Sequence, residues 1–102
     1  MNLQDLDSLN PTFARRLIVA QLIHSQPRPN LPELIRLTGW PRRTLQDILK
    51  ALPGLGLEIA FVQDGKRNND GYYKLDSWGP FDPQWIGLHR RQLFALLDLN
   101  LD

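Results

Sequence analysis

The chain has 102 residues, enough for one domain with a real core and too few for a second module. Hydrophobic residues make up 42% and charged residues 23%, a balance that excludes a disordered chain. Cysteine is absent, which removes disulfides, thiolate metal sites and cysteine nucleophiles together, and a formal net charge of only +1 gives no support for polyanion binding until its distribution is known.

The first ten residues, MNLQDLDSLN, read as an N-terminal tail. They hold two aspartates, no basic cluster and no long apolar run, so they lack the pattern of a signal peptide. Nowhere do about 18 apolar residues follow one another. A cytoplasmic protein with no membrane partner is expected.

A first helix is predicted over 11–24, with Asn10 as its cap and Pro11 in the first helical position, where the missing N–H is not needed. Pro27 and Pro29 lie beyond its end. Within LIVAQLI, 17–23, only Gln21 is polar, so this helix is apolar nearly all round and needs cover on more than one side, from its own domain or from a partner. A second, short helix over 31–37 has Asn30 as cap and Glu33 placed to reach back to it. Leu34, Ile35 and Leu37 face inward, and Gly39 suits the left-handed residue that closes it.

The third helix, predicted over 41–52 with Pro41 in the first helical position, carries Leu45, Ile48, Leu49 and Leu52 as one apolar stripe. Pro53, Gly54 and Gly56 stop it. The period then changes: LEIAFVQD, 57–64, sets Leu57, Ile59 and Phe61 on one face of a strand, and GYYKLD, 71–76, supplies another. Between them GKRNNDG has the composition of a hairpin end, with a basic tip. After SWGPFD, a single last helix is predicted over 83–97, capped by Asp82, opened by Pro83 and strongly apolar in LFALL.

Two helices joined by a short glycine-containing turn and followed by a hairpin carry a resemblance. The segment LPELIRLTGWPRRTLQDILKALPGLG resembles the helix-turn-helix of bacterial winged-helix transcriptional regulators. It includes the DeoR-like pattern in which Arg-Arg-Thr follows the turn and opens a leucine-patterned recognition helix. The likeness covers 11–76. It implies a mainly α fold with a β-hairpin: a three-helix core, a two-stranded wing and, over 77–102, a linker and an extra C-terminal helix. It also implies double-stranded DNA as partner. The chain departs from the pattern at Trp40-Pro41, where the family offers a modest apolar residue and then a small polar cap such as serine. Trp40 is expected to fill the apolar slot between the helices, and the serine cap is lost.

If the leucine stripe faces the core, Arg43, Gln46, Asp47 and Lys50 share the opposite face of the third helix, with Arg42 beside them. Arginine bonds guanine through two donors, glutamine does the same for adenine, and lysine meets phosphate. Thr44, near the helix start, is placed for a phosphate contact. An ordinary solvated helix would carry the same residue types, with Asp47 paired to Arg43, and Asp47 repels phosphate unless it accepts from a cytosine amine or orients Arg43. The hairpin supplies a second basic element in Lys66, Arg67 and Asn68, placed to lie along the backbone or in the minor groove. Asn68, Asn69, Asp70 and Gly71 are demanded by the turn itself; the two basic residues are not. The charge distribution agrees, because residues 11–97 hold all 12 basic groups and seven of the 11 acidic ones, a net +5.

A homodimer is expected, since a lone winged helix buries little surface on DNA. Trp85, Leu88, Leu93, Phe94, Leu96 and Leu97 of the last helix are its candidate interface; the alternative is that this helix packs back over the first one. Arg90 and Arg91 fall on the wet side of either arrangement. Catalysis has little to stand on. His24 and His89 show no metal-ligand spacing, no phosphate loop or nucleophile elbow is present, and neither a metal nor a cofactor is expected. The competing function is a winged-helix protein-interaction module without DNA binding, whose arginines would meet an acidic partner.

Overall fold

Local chemistry sets the helix starts. Asn10 accepts from the Phe13 N–H at 3.1 Å and opens α1, Pro11–Ser25. Asn30 accepts from the Glu33 N–H at 2.9 Å and opens α2, Leu31–Thr38. Both caps satisfy one of the N–H groups that a helix start leaves without a partner. Glu33 does not reach back to Asn30; its carboxylate takes both the Nε and Nη2 of Arg36 one turn on. Gly39, at φ 71°, closes α2 in the left-handed conformation.

The third helix differs from its sequence expectation at its start. Helix α3 spans Arg42–Ala51, and Pro41, with ψ 149°, is still extended, so it occupies the cap position rather than the first helical one. No side chain caps α3. The turn is held instead by Thr38, whose hydroxyl donates to the Leu34 carbonyl at 2.7 Å and accepts from the Trp40 N–H at 3.1 Å. Trp40 is half-buried against the core, in the slot expected for it. Leu52 falls in a 3-10 turn, Leu52–Leu55, that ends the helical unit.

Strands β1, Glu58–Gln63, and β2, Gly71–Ser77, pair antiparallel from Gln63 opposite Gly71 to Glu58 opposite Ser77, with Asp76 as the extra residue of a bulge. Leu57 is buried but precedes the strand, Ile59 is half-buried and Phe61 is 40% exposed, so the single apolar face expected for β1 does not form. A two-stranded ribbon has only one neighbour to cover it, and its outer half stays wet.

The last helix is two. Helix α4, Pro83–Leu88, is capped by Asp82 through the Gln84 N–H, and α5, Arg90–Leu96, follows a break at His89, whose φ of −103° and ψ of 13° leave the helical region. The His89 ring stacks on Trp85, and its Nδ1 lies 2.6 Å from the Trp85 carbonyl. The Trp85 carbonyl also accepts from the His89 backbone N–H at 3.1 Å, so the ring is held over the break by a second contact to that oxygen.

The structure, a computed structural model, describes residue 6 and residues 8–99; of the expected tail, residues 1–5 and 7 lie outside the described residues, as do Asn100, Leu101 and Asp102. Among the described residues the core is built around α1, where Leu17, Ile18, Val19, Ala20, Leu22 and Ile23 are all buried beneath α3, β2, α4 and α5. Leu93 and Phe94, proposed from sequence for a dimer interface, are at 1% and 3% exposure in that core. The chain covers its own apolar helix. No helix among the described residues is long and apolar enough to cross a membrane.

Candidate nucleic-acid interface

Packing of Leu45, Ile48 and Leu49 into the core leaves Arg42, Arg43, Gln46, Asp47 and Lys50 exposed on α3, as the stripe requires. At 100° per residue, Arg43, Asp47 and Lys50 run along the middle of that face, Arg42 and Gln46 toward one edge, and Thr44 toward the other, with Asp47 on the Thr44 side of the middle. Arg42 and Gln46 open into a cleft of about 510 Å³ whose far wall is the hairpin end, Asn68 to Gly71. Its floor is the start of α2 with Phe61 and Tyr73. The edge of α3 and the hairpin end therefore share one concavity, and α4 and α5 lie against α1 without sealing it.

Lys66 and Arg67 are not in the cleft; they stand exposed at the hairpin tip beyond it. Thr44 and Asp47 lie outside it too, facing α1. The Arg43–Asp47 pair that would make this an ordinary solvated face is not formed among the described residues.

The wing is held by contacts that sequence inspection missed. Arg28, in the loop between α1 and α2, donates through Nη1 and Nη2 to both oxygens of Asp64 at 2.5 and 2.7 Å. The neighbouring Pro29 carbonyl accepts from the Tyr73 N–H at 2.8 Å, and the Arg28 guanidinium lies 5.5 Å from the Tyr72 ring. Arg28 and Asp64 are 36 positions apart, and nothing local in either segment announces the pair.

The other wing acid is also engaged. Asp70 accepts from the Arg67 N–H at 3.1 Å, its own N–H donates to the Arg67 carbonyl, and its carbonyl accepts from the Asp64 N–H. Lys66 and the Arg67 guanidinium form no ion pair among the described residues, nor do Arg42, Arg43 and Lys50. At the end of the hairpin Asp64 and Asp70 are thus engaged internally while Lys66 and Arg67 face water. Gly71 completes the geometry: a Cβ there would run into the Val62 carbonyl and come within 2.9 Å of the Phe61 ring, which lies edge-on to Tyr73 at 5.1 Å in the cleft.

Arg28 holds the Asp64 carboxyl below the usual aspartate range, chiefly through its hydrogen bonds. A carboxyl whose folded-state pKa is lowered adds stability above its unfolded pKa and loses it as pH falls through the folded value. Both side chains are substantially exposed, so the whole domain is not expected to unfold with them. The expected result is local: in an NMR acid titration Asp64 protonates below an ordinary aspartate, and the amides of 64 to 73 shift with it ahead of the core. An Asp64 that titrates normally, or with no response in the hairpin, would contradict the tether.

The two histidines stay structural. His24 is exposed in the last turn of α1, edge-on to Trp78, and His89 is engaged at the α4–α5 break. Arg90 is not on the wet side as expected: it is half-buried over the Phe94 ring, 4.7 Å from its centroid.

Comparison with known proteins agrees with this architecture. A family model described as winged helix-turn helix matches residues 8–97. Among solved structures, a DUF2131 family protein from Shewanella amazonensis SB2B is 39% identical, with a TM-score of 0.79, over 98% of this chain and 91% of that one. A search of curated proteins gave no match.

Proposed function

The chain belongs to the winged helix-turn-helix family, and from that premise we propose that it binds duplex DNA sequence-specifically as a small transcriptional regulator. Helix α3 enters the major groove, with Arg42, Arg43 and Gln46 at base edges and Lys50 on phosphate, while Lys66, Arg67 and Asn68 of the wing meet the adjacent backbone. Thr44 adds a phosphate contact beside the uncapped start of α3.

The observation that carries this reading is the shared cleft between the α3 edge and the wing, flanked by Arg42, Arg43, Lys66 and Arg67, which form no ion pair among the described residues, while Asp64 and Asp70 are engaged within the fold. Two-fold pairing on half-sites fits the same reading. Of the six residues first considered for that contact, Leu93 and Phe94 belong to the core, which leaves Leu88, 81% exposed, with Trp85, Leu96 and Leu97 half-buried.

Selection from a random duplex library tests it, followed by binding across a salt series. Enrichment of a short site is expected, with affinity falling by orders of magnitude between about 50 and 200 mM salt as counterions are released. Failure to enrich any site, with binding only to an acidic protein and little salt response, would favour the interaction module instead.

A further inference from the structure

On the side of α3 away from the wing, the structure has a second concavity, a hollow of about 240 Å³ between α1 and α3. It is lined by Thr12, Arg15 and Arg16 of α1 and by Thr44, Asp47 and Ile48 of α3. Arg15 and Arg16 are half-buried, the last polar residues before α1 becomes wholly buried, and neither forms an ion pair among the described residues. Asp47 shares the hollow yet pairs with neither. Two guanidiniums held side by side repel each other, and partial burial denies them the full screening of water. Nothing in the core needs them there: a leucine or glutamine would cover the same helix face. Two fork-shaped donors with two hydroxyls around a concave surface suit a phosphate group. The uncapped first turn of α3, to which Thr44 belongs, adds free N–H groups and the positive end of the helix dipole.

We propose that Arg15 and Arg16, with Thr12 and Thr44, hold a backbone phosphate of the duplex on the flank of α3 opposite the wing. This rests on the reading of α3 as the helix in the major groove. That groove is about 12 Å wide and has a sugar-phosphate strand along each edge. Lys66 and Arg67 address one strand, and the edge of α3 carrying Thr44 and Asp47 turns α1 toward the other. The footprint then has three parts in line: wing, recognition helix and the start of α1. Asp47 opposes the anion from the facing wall, but the hollow remains net positive, two guanidiniums against one carboxylate.

The test compares wild type with R15Q/R16Q, R15K/R16K and D47N on the selected duplex, by fluorescence anisotropy over a salt series. Each neutralised phosphate adds about 0.9 to the slope of log affinity against log salt, about tenfold in affinity near 0.1 M salt. R15Q/R16Q is expected to lose about that much affinity and slope, with the preference for the selected site over a scrambled one unchanged. R15K/R16K should keep most of the slope, and D47N should bind more tightly. Methylphosphonate scanning gives a second readout: R15Q/R16Q should become insensitive to neutralisation of phosphates on one strand edge, while K66A loses sensitivity at the other. If wild type and K66A behave as the duplex reading requires but R15Q/R16Q keeps wild-type affinity, slope and methylphosphonate pattern, this assignment is overturned and DNA binding stands. If wild type shows no salt-dependent duplex binding, the DNA reading falls and takes this inference with it. Thermal unfolding of each variant separates lost binding from lost fold, and if the glutamine pair is unstable D47N decides: tighter duplex binding supports an anion in this hollow, and unchanged binding overturns it.

Discussion

Arg43→Ala is expected to weaken binding to the selected duplex by about 1–3 kcal/mol and to relax preference at one or two base positions. The reason is placement. Recognition helices read bases with their first turns, and Arg43 is the second residue of α3, exposed, without an ion pair among the described residues and in the middle of the outward face. Its neighbours divide that face: Arg42 and Gln46 line the cleft shared with the wing, while Thr44 and Asp47 line the hollow beside α1. Of the two cations nearest the middle of that face, Arg43 and Lys50, only Arg43 is in the first turn. Lys66→Ala gives the contrasting result. A hairpin-tip lysine meets phosphate, so all sequences should weaken alike and the salt slope should fall by about one. Competition binding with a set of single-base variants of the site distinguishes the two. Equal, sequence-independent losses from both substitutions would demote Arg43 to a phosphate anchor.

What could be read from the sequence here is what depends on near neighbours. Asn10, Asn30 and Asp82 cap helices because the bond each makes spans two or three residues. Gly39 ends α2 because its φ of 71° is costly for other residues. The leucine stripe of α3 determines which residues are outward, since one buried face fixes the other. What failed depends on contacts across the fold. WIGLHRRQLFALL has the period of one helix, and its break at His89, where the backbone turns to φ −103° and ψ 13°, is a feature that periodicity does not record. The Arg28–Asp64 tether and the hollow between Arg15, Arg16 and Asp47 join segments over 30 positions apart, so they exist only once α1, α3 and the hairpin are packed. Leu93 and Phe94 fall in the core because the apolar surfaces of α1 and the C-terminal helices cover each other, a pairing that helix periodicity does not distinguish from contact with a partner.

That mutual cover makes Phe94→Ala a strongly destabilising change in this domain. Phe94 is 3% exposed, packs beside Leu93 in the core around α1, and carries the Arg90 guanidinium on its ring. Truncating a buried phenylalanine costs about 3–5 kcal/mol through lost transfer energy and the cavity left behind. Against a total of about 5–15 kcal/mol for a domain, the variant should be partly unfolded or close to it at 37 °C. The loss should appear in urea unfolding at any protein concentration, because the contacts removed lie within one chain. An interface residue would behave otherwise: its loss would deepen as the protein is diluted, following mass action. Leu88 supplies the control. At 81% exposure, Leu88→Asp should leave the urea midpoint within about 0.5 kcal/mol of wild type, while any dimer built on the α4–α5 surface should dissociate in sedimentation. A folded, merely monomeric Phe94→Ala protein would place α5 outside the core and return the apolar surface of α1 to a partner.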